Sequence, residues 1–383
     1  VLVNNVKVYG GFAGGETDTS GRDFITNQTI LNGDIGLANN NTDNCYHVVI
    51  SSGAVGSASL NGFTVINGNA NDGSTINVNG QSIRKDNGGG ISNAYSSPVI
   101  SNCIISGNHS SGNGGGMNNS YSSPIVTNCT ISGNSLSLSG GGMNNYFSLP
   151  SLTNCIISGN SAFEGGGIYN ASSSPTLFNC LISGNKTNTN GGGIYNYSTS
   201  NPVIINTTIA ANKADNYGGG IFNSTSTPVL KNSIMWGNMS ILAYSFVGVA
   251  SNCIIKGGHT GVENYDIDPL FVSPQDPAAA PNTLGDYRLQ ACSPALNLGD
   301  NSFIPPGVTK DLDSLDRIKF TTVDMGAYEK QDIDLANSTW KGVNTNWNDK
   351  INWCGGYIPY DTTNVIIPSS LSSYPVINTG YIN

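Results

Sequence analysis

Between Gly88 and Asn238, apolar residues return at three fixed places in a unit of about 26 residues. The first column follows a glycine triplet: Ile91, Met117, Met143, Ile168, Ile194 and Ile221. The second is Ile100, Val126, Leu152, Leu177, Ile204 and Leu230, and the third is Ile105, Ile131, Ile157, Ile182, Ile209 and Met235. Asparagine occupies three further columns, headed by Asn93, Asn102 and Asn108. A straight strand alternates with period two. The second and third apolar columns are five residues apart, so both face inward only if the chain bends between them. Asn tolerates the left-handed backbone that such a bend needs. The asparagine columns are therefore expected at corners, with their amides bonded in ladders along the stack.

These spacings predict coils of three short strands, each advancing about 4.8 Å. One coil cannot bury its inner face alone, so coils must stack into a solenoid. The glycine triplets allow tight backbone geometry at one corner. Pro98, Pro124, Pro150, Pro175, Pro202 and Pro228 each precede a strand, where a missing donor costs least. Cys103, Cys129, Cys155 and Cys180 share one inward column, continued by Thr207 and Ser233. Their spacing matches no zinc motif, and in-register side chains point the same way, so they read as small buried thiols.

Outside the regular coils the pattern loosens. The phrases at Val6–Phe12, Thr29–Asp34, Val48–Ile50 and Leu60–Asn69 look like earlier coils separated by long insertions, and Asn71 to Lys85 reads as a polar surface loop. Near residue 262 prolines and charges return, which suits a segment that caps the solenoid. From about Asn337 the tryptophans Trp340, Trp347 and Trp353 suggest a further β-rich module. The expected domains are thus a parallel β-helix over 1–262 with regular coils at 88–238, an irregular Pro/Asp-rich cap over 263–332, and the start of a Trp-rich module over 333–383.

Composition narrows the function. Charged residues make up only 10% of the chain and the net charge is −9. That argues against nucleic acid and against anionic lipid surfaces, both of which want basic patches. There is no apolar run of about 18 residues, so no membrane-inserting helix is expected. The chain opens inside a strand-like phrase, and is expected to be a piece of a longer protein.

The phrases Gly165-Gly166-Gly167-Ile168-Tyr169-Asn170 and Asn179-Cys180-Leu181-Ile182-Ser183-Gly184-Asn185 resemble those of secreted bacterial right-handed parallel β-helix proteins. More distantly they are similar to the repeats of chlamydial polymorphic outer-membrane adhesins. The segments Asp268-Pro269-Leu270-Phe271, Asp286-Tyr287-Arg288-Leu289 and Asp324-Met325-Gly326-Ala327-Tyr328-Glu329 resemble the ending of "choice-of-anchor" surface proteins. The Trp-rich tail is similar to modules of giant Bacteroidota adhesins exported by the type IX system. The resemblance implies a right-handed β-helix in a cell-surface or extracellular protein, and carries over no catalytic residue.

Candidate chemistry is sparse. Polysaccharide-cleaving β-helices need paired carboxylates, or Ca²⁺ with a basic residue. From Gly88 to Asn238 the Asp, Glu, Lys and His residues are His109, Glu164, Lys186, Lys213, Asp215 and Lys231, all in different columns. The chain is therefore expected not to be an enzyme. Outward aromatics Tyr169, Tyr195 and Phe222 follow the inward column on successive coils, and Tyr95, Tyr121, Tyr146 and Tyr197 lie just past the same corner. Such a strip suits sugar rings or a partner protein, or else stabilises the stack. Tyr169, Tyr195, Phe222, Tyr121 and Tyr146 are the candidate ligand-binding residues. No cofactor is expected, apart from a candidate Ca²⁺ set of Asp311, Asp313, Asp316 and Asp324, with a hydrogen-bonded cap network as the alternative. His47, His109 and His259 stand singly. The function expected is a non-enzymatic adhesin or stalk that presents a rigid face to surface glycans or proteins. The alternatives are a filament or sheath subunit that contacts copies of itself, and a polysaccharide lyase or hydrolase.

Overall fold

A computed structural model describes residues 1–243 and 246–376. The coil that begins at Ile91 has four strands rather than the three expected: Ile91–Ala94, Val99–Ser101, Ile104–Ser106 and His109–Ser110. The fourth has two residues, too few for any alternation to show in the sequence. Stacked in parallel register, the coils form four sheets. Sheet A (containing Val99–Ser101) and sheet B (Ile104–Ser106) have nine strands each, and sheet C (Ile91–Ala94) and sheet D (His109–Ser110) have seven each. The fold is an all-β parallel β-helix.

The core follows the three apolar columns. Ile91, Ile100, Ile105 and their counterparts up the stack are buried in one continuous cluster, together with Cys103, Cys129, Cys155, Cys180 and Cys253. These cysteines are free thiols, each held against a backbone carbonyl, as Cys129 Sγ is against Thr127 O at 3.3 Å.

The three asparagine columns do different work. The column of Asn102, Asn128, Asn154 and Asn179 makes a left-handed corner, with φ of 53°, 52°, 53° and 50°. The column of Asn93 is not a corner. It lies within sheet C and faces inward, and Asn93 Nδ2 donates to Asn119 Oδ1 at 2.8 Å, a bond repeated through Asn145, Asn170, Asn196 and Asn223. In the column of Asn108 the preceding glycine takes the bend (Gly107, φ 62°), and the buried amide accepts from the backbone of the coil before it, as Asn134 Oδ1 does from Asn108 N–H at 3.0 Å. At the glycine triplet, a Cβ on Gly116 would meet the Gly142 carbonyl at 2.7 Å, so the coils can approach only where that side chain is missing.

The first coil is drawn out by two insertions. Lys7–Tyr9 pairs with Ser59–Asn61, Thr29–Asn32 with Phe63–Ile66, and Val49–Ser52 with Ile91–Ala94. The expected surface loop at 71–85 contains a β-hairpin, Thr75–Val78 against Gln81–Arg84. Its turn is Asn79-Gly80, both with positive φ (51° and 77°), the signature of a two-residue hairpin turn. The hairpin lies over the first strands of sheet C, where Ser52 Oγ donates to Val78 O at 2.8 Å and Ile83 is buried.

Residues 263–332, expected at the end of the solenoid, run back along its side. Phe271, Tyr287, Leu289, Ala295, Leu296 and Met325 pack on the outward residues of sheet B, among them Leu181, Ala210, Ile234 and Ile254. The corner asparagines fasten this covering segment: Asn179, Asn206, Asn232 and Asn252 donate to the carbonyls of Lys310, Asp324, Asp300 and Leu298 at 2.7–3.2 Å. Its lack of periodicity hid this course, because the contacts are set by the solenoid beneath. Beyond it, Asn337–Thr339 pairs with Asn364–Ile366, and Trp340, Trp347 and Trp353 pack together with centroids 4.7–6.3 Å apart. A disulfide joins Cys292 of the covering segment to Cys354 of the Trp-rich tail.

Candidate binding groove

The outer face of sheet C carries a groove of about 410 Å³, lined by four successive strands of that sheet, by the turns that precede the glycine triplets and by Arg84 of the hairpin. Its floor is the column that alternates with the inward Ile/Met residues. There Asn144 Nδ2 donates to Asn118 Oδ1 at 2.8 Å, and both amides are largely buried. Two residues further along each strand a second outward column supplies Ser120, Tyr146, Ala171 and Tyr197, which are direct neighbours across the sheet. The opposite rim is built just before the glycine triplets by Asn87, Asn113 and Ser139, with Glu164 continuing the same bridge ladder. Asn113 N–H donates to Asn87 Oδ1 at 2.8 Å.

The sequence brings these groups together because coil spacing stacks equal positions. Tyr169 and Tyr146, both expected to bind ligand, line the groove. Tyr195 belongs to the same column as Tyr169 but is only 7% exposed. It lies edge-on between Tyr169 and Phe222, with centroids 5.1 and 5.0 Å away, and so supports the wall. Tyr121 does not share a column with Tyr146. It stacks with Tyr95 and Phe147 at the next corner and meets the edge of Tyr146 at 5.6 Å. Counting from the glycine triplet separates these two aromatic columns by one residue. The same count marks Asn118 and Asn144 as the partners of Tyr169, a signal that attention to aromatics alone passes over. Arg84 was out of reach of any repeat argument because it arrives on an insertion.

Charge in the groove is balanced toward neutral or acidic. Arg84, half exposed, is paired with Asp86, its Nε 2.8 Å from Oδ1. Burial pushes the Glu164 carboxyl above its ordinary value, against a hydrogen bond with the Ser139 side chain that lowers it. Burial, then the neighbouring Glu164 carboxylate, raises the Tyr169 phenol. His47 and His109 are locally bonded, to Gly88 O at 2.9 Å and Ser135 Oγ at 3.1 Å.

The acidic residues of the covering segment do not converge as a metal site: among the described residues, no three His, Cys, Asp or Glu side chains come together to hold an ion. Asp311 accepts from the backbone of Asp313, Leu315 and Glu329, and Asp324 from Asn297 and Lys330. Asp316 pairs with Lys310 at 2.8 Å, and Asp313 borders a separate hollow of about 290 Å³ beside Arg288. The buried guanidinium of Arg317 bonds Glu329 Oε2 at 3.0 Å, the Gly326 and Asp324 carbonyls, and the corner Asn179.

Comparison with known proteins agrees with this architecture. The sequence family described as "Right handed beta helix region" matches residues 69–200 and 137–267. No curated protein matches the chain in sequence. A solved structure of similar fold is that of pectate lyase Pel9A, with a TM-score of 0.40 and 14% identity over 73% of this chain and 72% of that one. The expectation that the chain is not an enzyme is not upheld: the solved structure it resembles is that of a pectate lyase, and scattered charges along the regular coils do not exclude catalysis. Because the family match spans 69–267, just over half of the chain, the protein belongs to the right-handed β-helix family.

Proposed function

We propose that the chain engages polysaccharide along the outer face of sheet C, as the rigid glycan-holding segment of a cell-surface or extracellular protein. The observation that carries this reading is the composition of the groove. Amides form its floor, phenols and hydroxyls its walls, and its one cation is already paired. Sugars offer both hydroxyls, which amides and phenols bond, and apolar C–H faces, which aromatic rings cover. The Cys292–Cys354 disulfide supports an oxidising compartment outside the cytosol.

A second reading, turnover of the bound chain, is favoured by Glu164. A carboxyl raised by burial at the rim of a groove, next to Tyr169, has the properties of a proton donor or acceptor. One experiment addresses both. Affinity electrophoresis of the protein through gels containing soluble polysaccharides should show retardation that Tyr146→Ala with Tyr169→Ala abolishes. Assay of the same mixtures for new reducing ends and unsaturated products reads turnover, which Glu164→Gln should remove. Wild-type migration unchanged in every polysaccharide would sink the binding reading.

A further inference from the structure

We infer that the corner column Tyr95–Tyr121–Phe147 is a second contact row for the same ligand, and that this ligand is a neutral polysaccharide extended parallel to the rod. The inference rests on the reading above and specifies its ligand.

The backbone makes the first argument. Tyr95, Tyr121 and Phe147 sit in the left-handed region, with φ of 53°, 50° and 47°. For bulky side chains this conformation is a genuine outlier and is strained. The fold does not need aromatics there. In the next three coils the column holds Ser172, Ser198 and Thr225 at φ of 49°, 54° and 55°. Asparagine meets the same demand at the neighbouring corner. Burial does not offset the strain either, since the three residues remain 51%, 44% and 48% exposed. Exposed aromatics held in a disfavoured conformation, on three successive coils only, point to a ligand.

Position makes the second argument. The rings are parallel within 3°, at 4.9 and 5.3 Å, so they repeat at the coil spacing. Tyr146 of the groove wall touches both Tyr121 and Phe147 edge-on. The corner row and the groove are therefore one surface, whose long direction follows the stack. A polymer that advances about one sugar per coil meets the same set of groups at each step. Extended, equatorially linked pyranose chains advance in this way, whereas coiled α-linked chains do not.

Charge makes the third argument. Arg84 is neutralised by Asp86, Glu164 adds an acid in the ladder that continues the rim, and the whole chain carries −9. A polyanion would be repelled along its length.

The test is calorimetric titration of the full chain with cellohexaose, xylohexaose, mannohexaose, maltohexaose and hexagalacturonate. The same titrations are made on a variant carrying Tyr95→Asn, Tyr121→Asn and Phe147→Asn, with thermal melts of both proteins. The wild type is expected to bind at least one of the first three hexamers. The triple variant is expected to bind it at least tenfold more weakly while melting no lower than the wild type, because strain is relieved. Retained affinity, or a clear fall in melting temperature, would show the aromatics to be structural and overturn the contact row. Equal or tighter binding of maltohexaose or hexagalacturonate would overturn the ligand class and leave polysaccharide binding standing. Binding of none of the five would overturn this inference; if migration in the polysaccharide gels is unchanged as well, the function on which it rests is overturned too.

Discussion

The two flanks of this rod carry different outward surfaces and treat them oppositely. On sheet B, Leu181, Ala210, Ile234 and Ile254 are sealed by residues 263–332, and the corner asparagines are tied to that segment's carbonyls. On sheet C, Tyr146 and Tyr197 stand beside a groove that the described chain leaves open, with exposed Tyr95, Tyr121 and Phe147 at its margin. Where the chain covers a face, it supplies tightly packed apolar contacts, aliphatic and aromatic, and a buried guanidinium with its acceptors. Where it leaves one open, it supplies rings with polar edges, amides and hydroxyls. The difference separates scaffold from candidate function better than the repeat does, because the repeat is common to both.

If the covered flank is held by Arg317, then Arg317→Met should have the largest effect. It leaves the Glu329 carboxyl, the Asn179 amide oxygen and the Gly326 and Asp324 carbonyls buried without their donor, at a cost of about 1–3 kcal/mol for each acceptor left unpaired. Hydrogen exchange should show residues 263–332 opening while sheet C stays protected; uniform loss of protection would mean that the covering segment and the coils unfold as one unit. Next in size is the effect of pH. One buried guanidinium shares this region with the buried carboxyls of Asp311, Asp324 and Glu329, and burial raises Asp324 to about 6 and Glu329 to about 8. Both lie above the unfolded values of 3.8 and 4.5. Their contribution is complete below pH 4 and is lost as pH climbs through about 6 and then about 8. The covering segment should therefore open more readily at pH 9 than at pH 5, read by hydrogen exchange corrected for its intrinsic rate; the reverse order would show that the ionised pair dominates. The smallest effect on stability should come from the open flank. Tyr146→Ala with Tyr197→Ala should shift stability by less than about 1 kcal/mol and yet weaken glycan binding tenfold or more. A melt several degrees lower would move these rings into the scaffold class.

Much of the fold was legible because its columns repeat. Ile91, Ile100 and Ile105 predicted three inward positions, and Asn102 predicted a left-handed corner. The same rule misled at Asn93, where burial of a laddered amide outweighs asparagine's turn preference. The strand at His109–Ser110 was too short to announce itself, and the path of residues 263–332 depends on contacts with coils more than 100 residues earlier, such as Ala327 N–H to Thr208 Oγ1 at 3.1 Å. The Cys292–Cys354 bond was hidden for a related reason: the repeated cysteines drew attention to a ladder of free thiols. Of the groove, Tyr146 and Tyr169 were readable as outward aromatics. Asn118 and Asn144 needed the column count, and Arg84 needed the hairpin.

The central claim is that the open flank, and not the covered one, meets polysaccharide. Hydroxyl-radical footprinting of the full chain, with and without a polysaccharide that retards it in the gel, tests this most directly. The account predicts protection at Tyr121, Tyr146, Phe147, Tyr169 and Tyr197, with Tyr9, Tyr287 and Tyr360 unchanged. Protection confined to the covering segment or the Trp-rich tail, with the sheet C rings oxidised at their free rates, would contradict it.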